Sequence, residues 1–108
     1  MARVLGLVTD LMLASRVEAP LRAAGHDVVL RGELGEDAGD FDAIVADLEI
    51  ADPAAVAAAG PPALGFYSHV DVETRREAEE AGVALVVPRS RMARELPDLV
   101  ARLLESGA

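Results

Sequence analysis

Polar side chains that could act together follow four short apolar runs of the sequence. Asp10 follows the first run, Asp47 closes the third, Ser68 follows the fourth and Arg89 follows the fifth. His69 stands beside Ser68. If the runs are parallel strands, their carboxyl ends open into one crevice, where two carboxylates, a hydroxyl, an imidazole and a guanidinium converge. The set contains no evident pair of nucleophile and base, so we expect no enzymatic activity.

Residues 68–71 contain the residue types of a catalytic triad. Ser68, His69 and Asp71 are nearly adjacent in the chain. Residues so close in sequence rarely reach triad geometry, which depends on groups brought together by the fold. We therefore interpret Asp71 as the cap of the helix that follows it.

Apolar runs alternate with helical patterns, which predicts an α/β domain with a parallel sheet and helices on both faces. The predicted strands are residues 3–9, 27–30, 42–48, 63–67 and 83–87. The predicted helices are residues 11–24, a short helix starting at Asp52-Pro53 and ending at Gly60, one from an Asp71 cap through 81, and one from a Ser90 cap through 104. The glycines and acids of residues 31–40 indicate an exposed loop with one helical turn. Pro20 predicts a kink or a break in the first helix, and Pro97 predicts that the last helix breaks or restarts there.

Composition and charge narrow the class of protein. The 108 residues suit a single domain over 1–108. The net charge of −9 argues against a nucleic-acid partner and against an anionic membrane surface. The sequence contains no cysteine and no lysine, which excludes disulfides and any chemistry that needs a lysine. No signal peptide or spanning segment is evident, so we expect a cytoplasmic protein.

Four motifs resemble those of response-regulator receiver domains, the CheY-like family with a flavodoxin-like, doubly wound sheet. They are VTD after the first strand, VADL in the third, GFYSH in the fourth and EAGVALVVPRS through the fifth. The resemblance implies a five-stranded parallel sheet of order 2-1-3-4-5. It places Asp47 at the phosphoacceptor position and Ser68 and Arg89 at the switch positions. It makes Asp10 and Asp47 the candidate ligands of a weak Mg²⁺ site.

The sequence departs from the receiver pattern at several of these positions. Thr9 replaces one of the two acids that receivers carry after the first strand, Arg89 replaces their lysine and Ser90 replaces their proline. The intervals on both sides of Asp47 are also short, which predicts loss of the second helix and truncation of the third. Because phosphoryl transfer depends on positioning and charge neutralisation, we interpret the site as a degenerate one.

Simpler roles remain open for each of these residues. Asp10 and Asp47 could cap the helices that follow them, and Ser68 could do the same. Arg89 could be only an ion-pair partner for Asp47, in which case the pair would imitate a switch that is permanently set.

The leading functional hypothesis is a stand-alone receiver-like regulatory module that acts on a protein partner in trans or through a homodimer, without phosphorylation. No cofactor is expected, although Mg²⁺ is an option. One alternative is a true receiver, phosphorylated on Asp47 with Mg²⁺. Another is a flavodoxin-like domain that binds a small ligand in the same crevice.

Overall fold

The apolar runs form the strands of one parallel sheet, and the segments between them form helices. The computed structural model of the chain describes residues 2–68 and 72–106. In chain order, the elements are β1 (Arg3–Leu7), α1 (Leu11–Ala23), β2 (Asp27–Arg31), a 3₁₀ turn (Ala38–Asp40), β3 (Ala43–Asp47), α2 (Pro53–Ala58), β4 (Ala63–Tyr67), α3 (Val72–Ala81), β5 (Leu85–Pro88) and α4 (Arg89–Ser106). The strand order is β2-β1-β3-β4-β5, and every pair is parallel. The predicted fold class and strand order are confirmed.

Helices cover both faces of the sheet, which explains why its strands are continuous apolar runs. On one face, Val17 of α1 packs in a cluster with Leu96 and Leu103 of α4. On the other face, Val56 of α2 and Ala78 of α3 belong to a second cluster. Since both faces are covered, the polar residues that follow the strands are confined to the ends of the sheet.

The connections on either side of β3 are short, as predicted. Between β2 and β3 there is no α-helix, only the 3₁₀ turn, and α2 has six residues. Asp52 caps α2, because its side chain accepts a hydrogen bond from the amide of Ala54 at 3.4 Å, and Pro53 lies in the first turn. The loss of the second helix and the truncation of the third are therefore confirmed.

The breaks predicted at two prolines do not occur, whereas the kink that was the alternative at Pro20 stays a prediction. α1 runs without interruption through Pro20, and α4 runs through Pro97. Each proline removes one backbone hydrogen bond, but buried residues next to it, Leu21 and Leu96, hold the helix on the sheet. None of the helices within 2–68 and 72–106 is long and apolar enough to cross a membrane.

The predicted start of the last helix also needs correction. α4 begins at Arg89, directly after the last residue of β5, so Ser90 lies inside the helix and does not cap it. The residue before the helix is Pro88, the last residue of β5, and its side chain has no acceptor that could cap α4. The predicted Asp71 cap and the side chain of His69 lie outside the described residues.

Candidate functional site

The carboxyl edge of the sheet brings the predicted site residues together around Asp47. Asp47 ends β3 and is paired in register with Phe66 of β4, so it lies at the centre of the sheet. Its exposed fraction is 4%, and no other charged residue in the described part of the chain is buried. A lone buried carboxylate carries a large desolvation cost, which marks this position as the most unusual electrostatic feature of the fold.

The environment of Asp47 raises the pKa of its carboxyl group. Burial raises the pKa of this carboxyl, and the negative charges of Glu49 and Asp10 raise it further. The amide of Glu49, which donates to Asp47 Oδ1 at 3.0 Å, and the positive charge of Arg89 act in the opposite direction. Asp47 therefore binds a proton more tightly than an ordinary aspartate.

Asp10 caps a helix and also contributes charge to the site. Its Oδ1 accepts hydrogen bonds from the amides of Met12 at 2.9 Å and Leu13 at 3.1 Å. Those bonds satisfy two of the free donors at the start of α1. The capping alternative for Asp10 is thus confirmed, and its charge still acts on Asp47 across the gap between β1 and β3.

The chain turns sharply after Asp47 and thereby presents Glu49. The carbonyl of Asp47 accepts from the amides of Ile50 at 3.1 Å and Ala51 at 2.9 Å. Leu48 packs on Gly65 of β4, where a Cβ atom would lie only 2.8 Å from the leucine side chain. With Leu48 held inward, Glu49 is exposed at the edge of the sheet.

Glu49 is the residue that links the two predicted switch positions. Its Oε1 accepts a hydrogen bond from Ser68 Oγ, and its Oε2 lies 3.5 Å from Arg89 Nη2. The sequence-based reasoning missed Glu49. The available signal was its position two residues after Asp47 in the same strand-end turn, where its acid group would face the same crevice.

The predicted ion pair between Arg89 and Asp47 is wrong. Arg89 pairs with Glu49, because the glutamate is longer and exposed whereas Asp47 is buried at the strand end. Arg89 therefore acts on Asp47 only through its charge. The described hydrogen bond of Ser68 goes to Glu49, and its alternative role as a helix cap involves residues 69–71, which lie outside the described part.

The edge of the sheet offers few ligands to Mg²⁺. Within the described ranges, no three histidine, aspartate or glutamate side chains form a group that could hold a metal ion. One oxygen of Asp10 already accepts the two hydrogen bonds that cap α1, which leaves its second oxygen and the carboxylate of Asp47 as candidate ligands. Mg²⁺ is commonly held in octahedral geometry by one or two carboxylates and several waters, so Asp10 and Asp47 would form a weak site at most.

A shallow groove opens beside the acidic residues. It has a volume of about 200 Å³ and is lined by Asp10, Met12, Leu13, Arg16 and Arg89. Arg16 of α1 thus adds a second guanidinium to the lining of this groove. Two positive and several negative groups share the edge of the sheet, and the balance between them decides which ions it accepts.

Solved structures with the same fold are response-regulator receivers. A response-regulator receiver domain protein from Clostridium thermocellum matches with a TM-score of 0.83 and 12% identity, over 98% of this chain and 96% of that one. A CheY-like receiver domain protein from Methanospirillum hungatei JF-1 matches with a TM-score of 0.83 and 15% identity, over 99% and 96%. The chain therefore has the CheY-like receiver fold.

A longer protein also contains this fold. NtrX from Brucella abortus, solved in complex with ADP, matches with a TM-score of 0.80 and 16% identity over 98% of this chain. This chain spans only about a quarter of NtrX, 26% of its length. No protein-family model matches the sequence, and neither does any curated protein. The likeness concerns the fold, and the function is a separate question.

Proposed function

We propose that this protein is a receiver-like signalling module that regulates another protein by direct contact, without phosphorylation of Asp47. The receiver fold over almost the whole chain supports the signalling class. The main support for the absence of phosphorylation is that Glu49 contacts both Ser68 and Arg89. These two groups would otherwise contact a phosphoryl oxygen. No group of three metal-ligating side chains lies in the described part of the chain, which supports the same proposal.

Exposed apolar side chains at the same edge support a protein partner. Leu11 and Met12 at the start of α1 are 87% and 70% exposed, and Val72 at the start of α3 is 64% exposed. Ile50, in the turn after Asp47, is also exposed. Leu11 and Met12 are adjacent at the start of α1, and a pair of large exposed apolar side chains favours contact with another protein. A contact here would lie next to the acidic site and could sense its state.

A true receiver is the second candidate, because Asp47 ends the central strand with Ser68 and Arg89 nearby. In that case a carboxylate oxygen of Asp47 attacks the phosphorus of an acyl phosphate, and the carboxylate of the donor leaves. Incubation with acetyl phosphate and Mg²⁺, followed by intact mass measurement, separates the two candidates. We expect no mass gain in the wild type and no saturable Mg²⁺ binding by calorimetry at millimolar concentration.

The control for that experiment is Asp47→Asn, which removes the nucleophile and keeps the shape of the side chain. A mass gain in the wild type that disappears in Asp47→Asn would establish the true receiver and overturn the proposal. Mg²⁺ binding that is lost in the same variant would also count against it, because the acidic crevice would then be a working metal site.

The protein-contact part of the proposal is tested at the exposed apolar edge. A Leu11→Ser, Met12→Ser double variant should lose binding to a partner that the wild-type protein retains in a pull-down. Both side chains are exposed, so the variant should unfold at the same temperature as the wild type. Equal retention of the partner by both proteins would show that this edge is not the contact surface.

A further inference from the structure

Two donors from different elements converge on one carboxylate at the edge of the sheet. Ser68 Oγ, after β4, donates to one oxygen of Glu49, and Arg89 Nη2, in α4, faces the other at 3.5 Å. A hydroxyl and a guanidinium recognise the charge and lone pairs of an oxyanion, and a carboxylate is only one such group. The same donors would serve a phosphate or a sulfate equally well.

Glu49 leaves part of this donor set unused. Arg89 Nε is buried and has no hydrogen-bond acceptor among the described residues. The single ion-pair distance of 3.5 Å is long for a charge-assisted hydrogen bond, and it is not bidentate. A carboxylate has two oxygens, one of which is taken by Ser68. A tetrahedral oxyanion has more acceptors and could satisfy the guanidinium more completely.

The local charge explains why a free anion would not displace Glu49. Asp10, Asp47 and Glu49 bring three carboxylates to this edge, against the guanidiniums of Arg89 and Arg16. With Glu49 in place the acidic groups are in excess, which opposes a second anion. Without Glu49 the remaining carboxylates and guanidiniums are equal in number, and the donors of Ser68 and Arg89 are free.

We infer that Ser68 and Arg89 form an oxyanion site that the chain fills with its own Glu49 carboxylate, so that Glu49 acts as a built-in ligand. The inference rests on the proposed function and gives it a physical basis, since a site already filled does not respond to a phosphoryl group. The Glu49 carboxylate holds Ser68 and Arg89 in one position, as a permanently bound anion would. Removal of Glu49 therefore converts the closed site into one that binds an external anion.

The experiment is a titration of the full chain with inorganic phosphate, followed by ¹⁵N NMR at the Ser68 amide and the Arg89 Nε–H. In the wild type we expect no saturable shift. In Glu49→Ala we expect saturable binding, with a Kd at least about tenfold below the highest phosphate concentration at which the wild type still shows none, because a charged competitor is removed. Sulfate should compete with phosphate, since only the oxyanion is recognised.

Two further variants make the result specific. Glu33→Ala removes the same charge from an exposed position in the β2–β3 connection and should bind no phosphate, as in the wild type. The double variant Glu49→Ala, Arg89→Met should lose the binding gained by Glu49→Ala. Equal phosphate affinity in Glu49→Ala and Glu33→Ala would overturn the inference. That outcome is independent of the acetyl phosphate test on the wild type, so the two proposals can fail separately.

Discussion

Two arginines leave the same edge of the sheet, Arg31 at the end of β2 and Arg89 at the start of α4. Arg31 makes a bidentate ion pair with Asp37, in which Nη1 donates to Oδ1 at 2.5 Å and Nη2 donates to Oδ2 at 2.8 Å. Its Nη1 also donates to the carbonyl of Leu34 at 3.3 Å. Its guanidinium lies 5.4 Å from the centre of the Phe41 ring. Arg89 has one contact at 3.5 Å and a buried Nε without an acceptor in the described residues.

These contacts show that Arg31 has a structural role, whereas Arg89 still has a donor available for a ligand. Arg31 closes the connection that replaces the second helix, and its partners lie within a few residues along the chain. Arg89 pairs with Glu49, which lies 40 residues away in the turn after β3, and keeps an unused donor. A buried donor without an acceptor costs stability, so such a group is expected where a ligand or partner completes the site.

The two aspartates of these regions differ in the same way. The hydrogen bond from Arg31 lowers the pKa of Asp37, whereas burial raises the pKa of Asp47. One carboxylate is thus stabilised in its charged form by the fold, and the other is destabilised. Opposite pH dependences follow for the two positions, which gives a direct test of the comparison.

The largest expected effect on stability is at Phe41, whose ring lies under the guanidinium of Arg31. Phe41 is buried, with 4% exposed, and the guanidinium of Arg3 lies 4.6 Å from its ring centre. Phe41→Ala should lower the free energy of unfolding by about 3–5 kcal/mol, measured by urea denaturation. Phe41→Leu keeps most of the volume and should cost less than about 1.5 kcal/mol. A loss below 1 kcal/mol for alanine would mean that the ring does not organise this connection.

Asp37→Asn should destabilise the protein at neutral pH, because the variant loses the charged partner of Arg31. Since folding lowers the pKa of Asp37, its contribution is fully present above the ordinary value of 3.8 and is lost as the pH falls through the lower folded value. Thermal unfolding of both proteins across the acid range should therefore converge at low pH. A constant difference at every pH would assign the loss to something other than this ion pair.

Asp47→Asn should have the opposite sign and stabilise the protein at neutral pH. Folding raises the pKa of Asp47, so its favourable contribution is complete below 3.8 and is lost as the pH rises through the folded value. Asparagine keeps an acceptor for the amide of Glu49 and removes the buried charge. The melting temperature of the variant should exceed that of the wild type only above the acid range. A variant less stable than the wild type at neutral pH would show that Asp47 is held by an attraction that outweighs its burial.

Much of the fold is predictable from local pattern. Strand runs such as residues 63–67 are apolar because both faces of a parallel sheet are covered, and that requirement is written in consecutive residues. The caps at Asp10 and Asp52 are equally local, since each side chain bonds amides two or three residues ahead. The connections before and after β3 are short because the sequence has few residues between the apolar runs there.

The sequence by itself determined the succession of strands and helices along the chain and the two caps, because these depend on near neighbours. It also determined which acids and bases meet at the carboxyl edge, because that follows from the general geometry of parallel sheets. Only the tertiary structure decided that Pro20 and Pro97 stay within continuous helices, since burial on the sheet outweighs one lost hydrogen bond. It also decided that Arg89 pairs with Glu49 and not with Asp47. That choice depends on burial and side-chain reach between distant elements, which no local pattern encodes.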